Sequence, residues 1–316
     1  MKSSSIFRFP RALPTLSTCL ALLVSSSLLL GVAAISRTSS SNPPRRRQDT
    51  PLERSTARSP NTDEKYFHEA GNTLELSHYD GRYFRGVVPY EAHRDVLTQL
   101  IRSYLSVTAS LGAETWLAHG TLLGWWWNGQ IMPWDYDLDA QVSIATLDFM
   151  SQNFNGTFHE WKYLLDDSGE EEDAADDETY EEGEVVTKTY LLDINPNYVQ
   201  VDRGRGNNVI DARWIDVETG MFVDITALVE REPDSMPGVW SCKNFHYYRT
   251  GDIWPLRDTT FEGVEARIPF EFENILIAEY GEKSMVVTEW EGHRWHPDIK
   301  EWVKMGWNDT KMEKVL

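Results

Sequence analysis

Between Glu91 and Leu111 the apolar positions Leu97, Leu100, Ile101, Tyr104, Leu105 and Leu111 recur at the spacing of one helix face, and Gly112 follows where a helix should end. Thr115 to Ala118 then reads as a short strand. His119-Gly120-Thr121 reads as a turn opening a short helix through Trp127, and Asn128-Gly129 as a tight turn. After Pro133 the period changes to two. Apolar and polar positions alternate from Trp134 to Val142, which predicts a strand carrying Asp135, Asp137 and Asp139 on one face. Further strands are expected at 185–194, 209–216 and 221–225, the last two joined by a turn at 218–220. A helix is expected from Pro269 through Tyr280, ended by Gly281. The aromatic C-terminal region has no periodicity that assigns it.

A different pattern occupies the N-terminus. Residues 13–35 are almost uncharged and include Leu28, Leu29 and Leu30, a stretch long enough to span a bilayer as a signal anchor behind a 1–12 cytoplasmic tail. The small residues from Val32 to Ala34 also suit a cleaved signal peptide, although the apolar run exceeds the usual secretory segment. The expectation is a single-pass type II protein of the Golgi or another secretory-pathway membrane, with a lumenal domain. Cleavage would make it secreted. Residues 36–62, rich in Ser, Arg, Pro and Thr, read as a disordered stem. Residues 63–316 then form one folded domain, the size that a single core supports.

The formal charge of −20 is less general than it looks. Twelve acidic and no basic residues lie between Asp166 and Glu184, so more than half of it sits in one stretch, expected to be a solvated, disordered insertion. No basic patch with interleaved aromatics is present, which argues against nucleic acid as a partner. Cys19 falls in the apolar segment and leaves Cys242 alone in the domain, so no disulfide framework is expected. Asn155-Gly-Thr and Asn308-Asp-Thr are glycosylation sequons compatible with a lumenal location.

The chemistry-bearing residues gather between 119 and 139. Three carboxylates on one strand face repel one another unless a cation compensates them. Oxygen-only ligands suit Mg²⁺ or Mn²⁺, typically shared with substrate phosphates. A calcium loop would need Gly and Glu where Ala140 and Thr146 stand. Gly120, Thr121 and Gly124 open a helix whose free backbone N–H groups could receive phosphate oxygens, with Thr121 as its cap. Asp224 is a charge inside the apolar strand Met221 to Ile225, costly unless paired or liganded, and so a candidate fourth ligand. Arg213 could neutralise phosphate charge, or pair with Asp211 or Asp216.

With these residues in hand, the segment from Trp116 to Gly124 followed by Pro133 to Asp139 resembles the LicD and fukutin family. Gly124-Trp125-Trp126-Trp127-Asn128-Gly129 and Gln141 are similar to its fungal branch, associated with mannosylphosphorylation. Gly220 to Ile225, Ile253 to Leu256, Gly263 with Pro269, and Ala278 to Gly281 resemble the family's later signposts, giving coverage of roughly residues 90–285. The resemblance implies an α/β (α+β) nucleotidyltransferase-like mixed sheet flanked by helices. It also implies transfer of a phosphate-linked sugar or polyol, mannose phosphate in the fungal branch, from a nucleotide diphosphate donor to a glycan hydroxyl. The metal ligands would then come from Asp135, Asp137, Asp139 and Asp224: the family's pair of acids one residue apart is met by both Asp135/Asp137 and Asp137/Asp139, with the latter pair favoured, and Asp137, Asp139 and Asp224 would be catalytic. Gly120, Thr121, Gly124 and Arg213 would contact substrate. A non-catalytic regulator of mannosylphosphorylation and a metal-dependent glycosyltransferase are the alternatives.

Overall fold

The computed structural model describes residues 64–164 and 185–306. The expected anchor, stem and acidic insertion all lie outside them, as does the second sequon. No helix among the described residues is long and apolar enough to cross a membrane.

Helix α1 (Tyr90–Ser110) forms where the periodicity places it, and Leu97, Leu100, Ile101, Tyr104 and Leu105 are all buried. Each such side chain taken from water contributes about 1.5–3 kcal/mol. Gly112 ends the helix at φ +71°, and bonds from Gly112 N to Ala109 O and from Ala113 N to Thr108 O close a Schellman turn. The chain then enters β1 (Thr115–Leu117), α2 (His119–Asn128) and β2 (Leu138–Ser143), followed by α3 (Ile144–Phe154) with Ser143 as its side-chain cap.

Three antiparallel strands come next: β3 (Thr157–Leu164), β4 (Val185–Ile194) and β5 (Ala212–Asp216). The last feeds β6 (Phe222–Glu230) through the turn that Gly220 permits at φ +85°. Strand β6 inserts between β5 and β2, antiparallel to the first and parallel to the second, giving the order β1-β2-β6-β5-β4-β3. Strands β7 (Val239–Ser241) and β8 (Tyr247–Arg249) extend the sheet from the far end of β6. The result is a mixed sheet with helices, as the α/β expectation required.

The core joins α1 to this sheet. Trp214 of β5 stacks on Tyr190 of β4 with ring centroids 5.7 Å apart, and its indole N–H donates to Ser103 Oγ of α1. Trp116 of β1 donates to Gln141 of β2, so this buried indole N–H is satisfied. A short helix α4 (Thr250–Ile253) leads to the hairpin β9 (Arg257–Phe261) and β10 (Val264–Ile268), then to α5 (Phe272–Tyr280), which Gly281 ends. The aromatic C-terminal stretch is a three-stranded sheet, β11 (Glu289–Trp290), β12 (His293–His296) and β13 (Glu301–Lys304).

Two expectations need correction. The strand was to begin at Trp134, yet β2 starts at Leu138; Asp135 and Asp137 lie on the irregular run before it and share no strand face with Asp139. Local contacts outweigh the two-residue alternation there: Tyr136 packs between His78, 6.1 Å away, and His93, 4.7 Å away, while Asp135 N bonds Met132 O. Thr121 does not cap α2. The cap is Ala118, without a side-chain bond, and Thr121 Oγ1 instead accepts from the Asp139 N–H at 2.9 Å.

Candidate functional site

That last bond ties the first turn of α2 to the start of β2. It carries Gly120 to the rim of a cavity of about 560 Å³ whose walls include Asp135, Asp137, Asp139, Trp127, Tyr280 and Lys283. An added Cβ at position 120 would lie 3.7 Å from Asp135 Oδ2 and 4.0 Å from the Tyr280 hydroxyl, ordinary contact distances that place the start of α2 beside both groups. Gly124, expected to touch substrate, does something else. A Cβ there would lie 2.4 Å from Gln130 O, so this glycine lets the backbone of 130 pack on α2.

The parallel pairing of β2 with β6 brings Asp139 opposite Asp224, so an acid from each strand meets at one level of the sheet. Asp135, Asp139 and Asp224 are each partly buried. Burial, followed by the like charge of Asp137, raises the Asp135 carboxyl to about 7. Burial raises Asp139 to about 8; His119 opposes this, while Asp137, Asp224 and Asp135 add to it. Asp224 is also raised by burial, against the pull of Arg213. Asp137 is different: its side chain is 53% exposed, with Oδ2 4.0 Å from His78 Nε2.

Arg213 stands opposite Asp224 across the β5–β6 pairing and donates to it from Nε at 2.7 Å and to Glu69 from Nη2 at 3.0 Å. Its guanidinium lies 3.6 Å from the centroid of Phe222 and 4.7 Å from that of Phe67. Neither expected pairing occurs: Asp211 takes Lys243 at 2.7 Å and Asp216 takes Lys188 at 3.2 Å. Arg213 is therefore buried as the partner of an acid in the site, with Nε and Nη2 engaged and Nη1 buried without a hydrogen-bond partner.

The donor set fits a divalent cation. Asp135, Asp139 and Asp224 are partly buried carboxylates, each raised by Asp137, with Asp135 and Asp224 adding to the raising of Asp139, and Arg213 pairs with Asp224. Among the described residues, however, the potential ligand atoms that already converge are those of His119, His246 and Glu279, all within 4.8 Å of one another. His119 Nδ1 meets Glu279 Oε2 at 2.8 Å, and the Tyr248 hydroxyl donates to Glu279 Oε1 at 2.8 Å. Burial opposes it, but the Glu279 carboxylate raises the His119 pKa, and His119 in turn lowers that of Glu279. The sequence marked His119 only as part of a turn, and Glu279 only as a signpost residue. Their 160-residue separation left no local pattern to join them.

Three wall residues of the acidic cavity, Lys283, Trp290 and Trp302, were also missed, because they come from the C-terminal region without periodicity. Of the three consecutive tryptophans, Trp125 packs on Phe272 and bonds Thr259, whereas Trp127 reaches the cavity and meets Trp295 and Trp302.

Comparison with known proteins bears on the same residues. The family described as LicD/FKTN/FKRP, nucleotidyltransferase domain, matches residues 112–271. That range contains α2, the four aspartates and Arg213, but not Glu69, Glu279 or the C-terminal sheet, and is narrower than the expected 90–285. Mannosyltransferase regulator 4 of Saccharomyces cerevisiae is 32% identical over 191 residues, 58% of this chain and 14% of that protein. Mannosyltransferase regulator 14 of the same yeast is 32% identical over 188 residues, 56% of this chain and 18% of that protein. The chain thus spans less than a fifth of either relative. With half its length matched by the family's domain and the glycine turn and acids on one cavity, this chain belongs to the LicD/FKTN/FKRP nucleotidyltransferase-domain family.

Proposed function

We propose that the chain transfers a phosphate-linked sugar or polyol, mannose phosphate foremost, from a nucleotide diphosphate donor to a glycan hydroxyl in the secretory pathway. The observation that carries this reading is the register of Asp139 with Asp224 beside the start of α2, at a cavity large enough for a substrate. Asp135, Asp139 and Asp224, with the more exposed Asp137, would hold Mg²⁺ or Mn²⁺. Bound there, the ion supplies charge neutralisation for the donor diphosphate.

The protein's own groups cover the remaining needs. Gly120 in the first turn of α2, where helix geometry leaves backbone N–H groups without intrahelical partners, and the exposed ammonium of Lys283 lie on the same cavity and suit phosphate oxygens. The attacking hydroxyl requires a proton acceptor, and the paired carboxylates of Asp139 and Asp224 suit that role. Arg213 fixes Asp224 in place from the side of the sheet. The tryptophan-lined wall formed by Trp127, Trp134, Trp290 and Trp302 excludes water from one side. The apolar segment 13–35 supports a single-pass Golgi or other secretory membrane location.

A second reading rests on the names of the two yeast relatives, both regulators: the domain would bind a donor or a transferase without turnover. The deciding experiment supplies labelled sugar nucleotides, Mn²⁺ and mannose-containing acceptors to the full-length chain. Nucleoside monophosphate release supports phosphate-linked transfer, and diphosphate release indicates a glycosyltransferase. No turnover with any donor, in a preparation that still binds Mn²⁺, sinks the enzymatic reading and favours the regulator.

A further inference from the structure

We propose that His119, His246 and Glu279 form a second metal site, independent of the aspartates and suited to Zn²⁺ or another borderline transition metal. One ligand atom from each residue lies within 4.8 Å of the other two, and all three side chains are partly buried on a separate cavity of about 660 Å³. Two imidazoles and a carboxylate select zinc-type ions, whereas the all-carboxylate cluster selects Mg²⁺ or Mn²⁺.

The surroundings have the form of a metal site's outer layer. Tyr248 donates to Glu279 Oε1, leaving Oε2 for the ion, and Cys242 Sγ lies 3.3 Å from His246 Nδ1, leaving Nε2 as the ring nitrogen available to ligate. His119 and Phe245, the residue before His246, are both held at positive φ, +50° and +65°, in the left-handed region that such residues rarely occupy. The backbone is therefore bent at one proposed ligand and just before another. Three protein ligands leave a fourth position facing the cavity. The ion would displace the proton now shared by His119 Nδ1 and Glu279 Oε2 and bridge three segments: the start of α2, the turn at 242–246 and the last turn of α5.

That bridge has a consequence for the neighbouring cavity. His119 precedes Gly120 and Glu279 precedes Tyr280, and Gly120 and Tyr280 are both walls of the acidic site. A metal at 119/246/279 would fix two of its walls from behind.

The test is metal content of the full-length chain, purified without a histidine tag, loaded with Zn²⁺ and exhaustively exchanged into metal-free buffer. One equivalent of Zn²⁺ is expected in the unmodified chain and in the double variant Asp139→Asn/Asp224→Asn. It should be lost at least tenfold in affinity from His246→Ala and from Glu279→Gln with far-UV circular dichroism unchanged. Co²⁺ in place of Zn²⁺ should give the visible bands of a four-coordinate ion in the unmodified chain, which decides the matter even if a variant fails to fold. Zn²⁺ washed out of the unmodified chain, retention unaltered by His246→Ala, or absence of the Co²⁺ bands would overturn the proposal and leave a hydrogen-bonded His–Glu pair only.

Discussion

Asp139 and Asp224 are paired residues on neighbouring parallel strands, and Arg213 pairs with Asp224 from the strand on its other side. An acid without an ion pair among the described residues, an acid with one and a buried guanidinium thus follow one another across β2, β6 and β5. Removing charge from the first two should act differently on activity and on stability. Asp139→Asn and Asp224→Asn should each lower transfer at least 100-fold. Asp139→Asn should leave the metal-free fold as stable or more so, since a buried carboxyl with a raised pKa is a cost to it. Turnover and urea denaturation on the same preparations check both, and an active Asp139→Asn enzyme would remove Asp139 from the site.

Protonation gives a second expectation. Asp135 titrates near 7 and Asp139 near 8 in the folded chain, both above the ordinary value of 3.8. The folded state therefore keeps protons that the unfolded state has lost between those values. Stability of the metal-free protein should fall as pH rises from about 4 towards 8 and level off above it. A cation must displace those protons. Apparent Mn²⁺ affinity should rise through the same upper range, and calorimetry in buffers of different ionisation heat should register proton release near pH 7. Affinity independent of pH between 6 and 8 would show that the ion binds elsewhere.

Arg213 supplies a third. Its burial with Asp224 and Glu69 means that Arg213→Met strands Asp224 and leaves Glu69 with Lys65 alone, at a cost of about 3–5 kcal/mol by chemical denaturation. Arg213→Lys should recover only part of this, because an ammonium cannot reproduce the fork that reaches both acids. A near-neutral methionine variant would instead mark Arg213 as a substrate group with no structural duty.

These expectations show how unevenly the sequence could be read. The α1 stripe, the Gly112 cap, β4, the β5–β6 pair and the α5 terminus all follow from local periodicity and local glycines, and all are present. Asp224 was legible because a charge in an apolar strand needs a partner. The face shared by Asp135, Asp137 and Asp139 was misread, because alternation continues past the point where Tyr136 is captured by two histidines from remote segments. Likewise nothing local told that Arg213 would reach Glu69, 144 residues away, or that His119 would meet Glu279. Pairings of that range are set by how distant elements pack in space, which periodicity does not encode.

Gly124 tests the packing of α2 on the segment that follows it. An added Cβ would stand 2.4 Å from Gln130 O and 3.4 Å from Met132 N, both backbone atoms with little room to shift. Gly124→Ala should therefore destabilise by about 1–3 kcal/mol despite alanine's better helix propensity. Because α2 bonds β2 through Thr121, the strain should also reach the acids and lower activity more than the stability loss alone explains. Melting temperature and turnover measured together check this; a stabilised alanine variant would mean that the 130–132 segment yields freely.

Trp302 closes the acidic cavity from the C-terminal sheet, and it does so with a buried indole N–H that has no hydrogen-bond partner. Its ring meets Trp127, Trp134 and Trp295 at centroid distances of 4.8, 5.0 and 5.7 Å. Two contributions oppose each other. Truncation to alanine loses the aromatic contacts and opens a void, at about 3–5 kcal/mol. Phenylalanine keeps much of the contact while removing a donor whose desolvation is uncompensated, worth about 1–3 kcal/mol. Trp302→Phe should therefore fall within about 1 kcal/mol of the unmodified chain, and Trp302→Ala well below it. If the N–H instead donates to a bound substrate hydroxyl, Trp302→Phe should raise KM for acceptor or donor several-fold at unchanged stability. Denaturation and steady-state kinetics on the pair of variants separate the two contributions, and a phenylalanine variant as unstable as the alanine one would contradict the accounting for the unpaired donor.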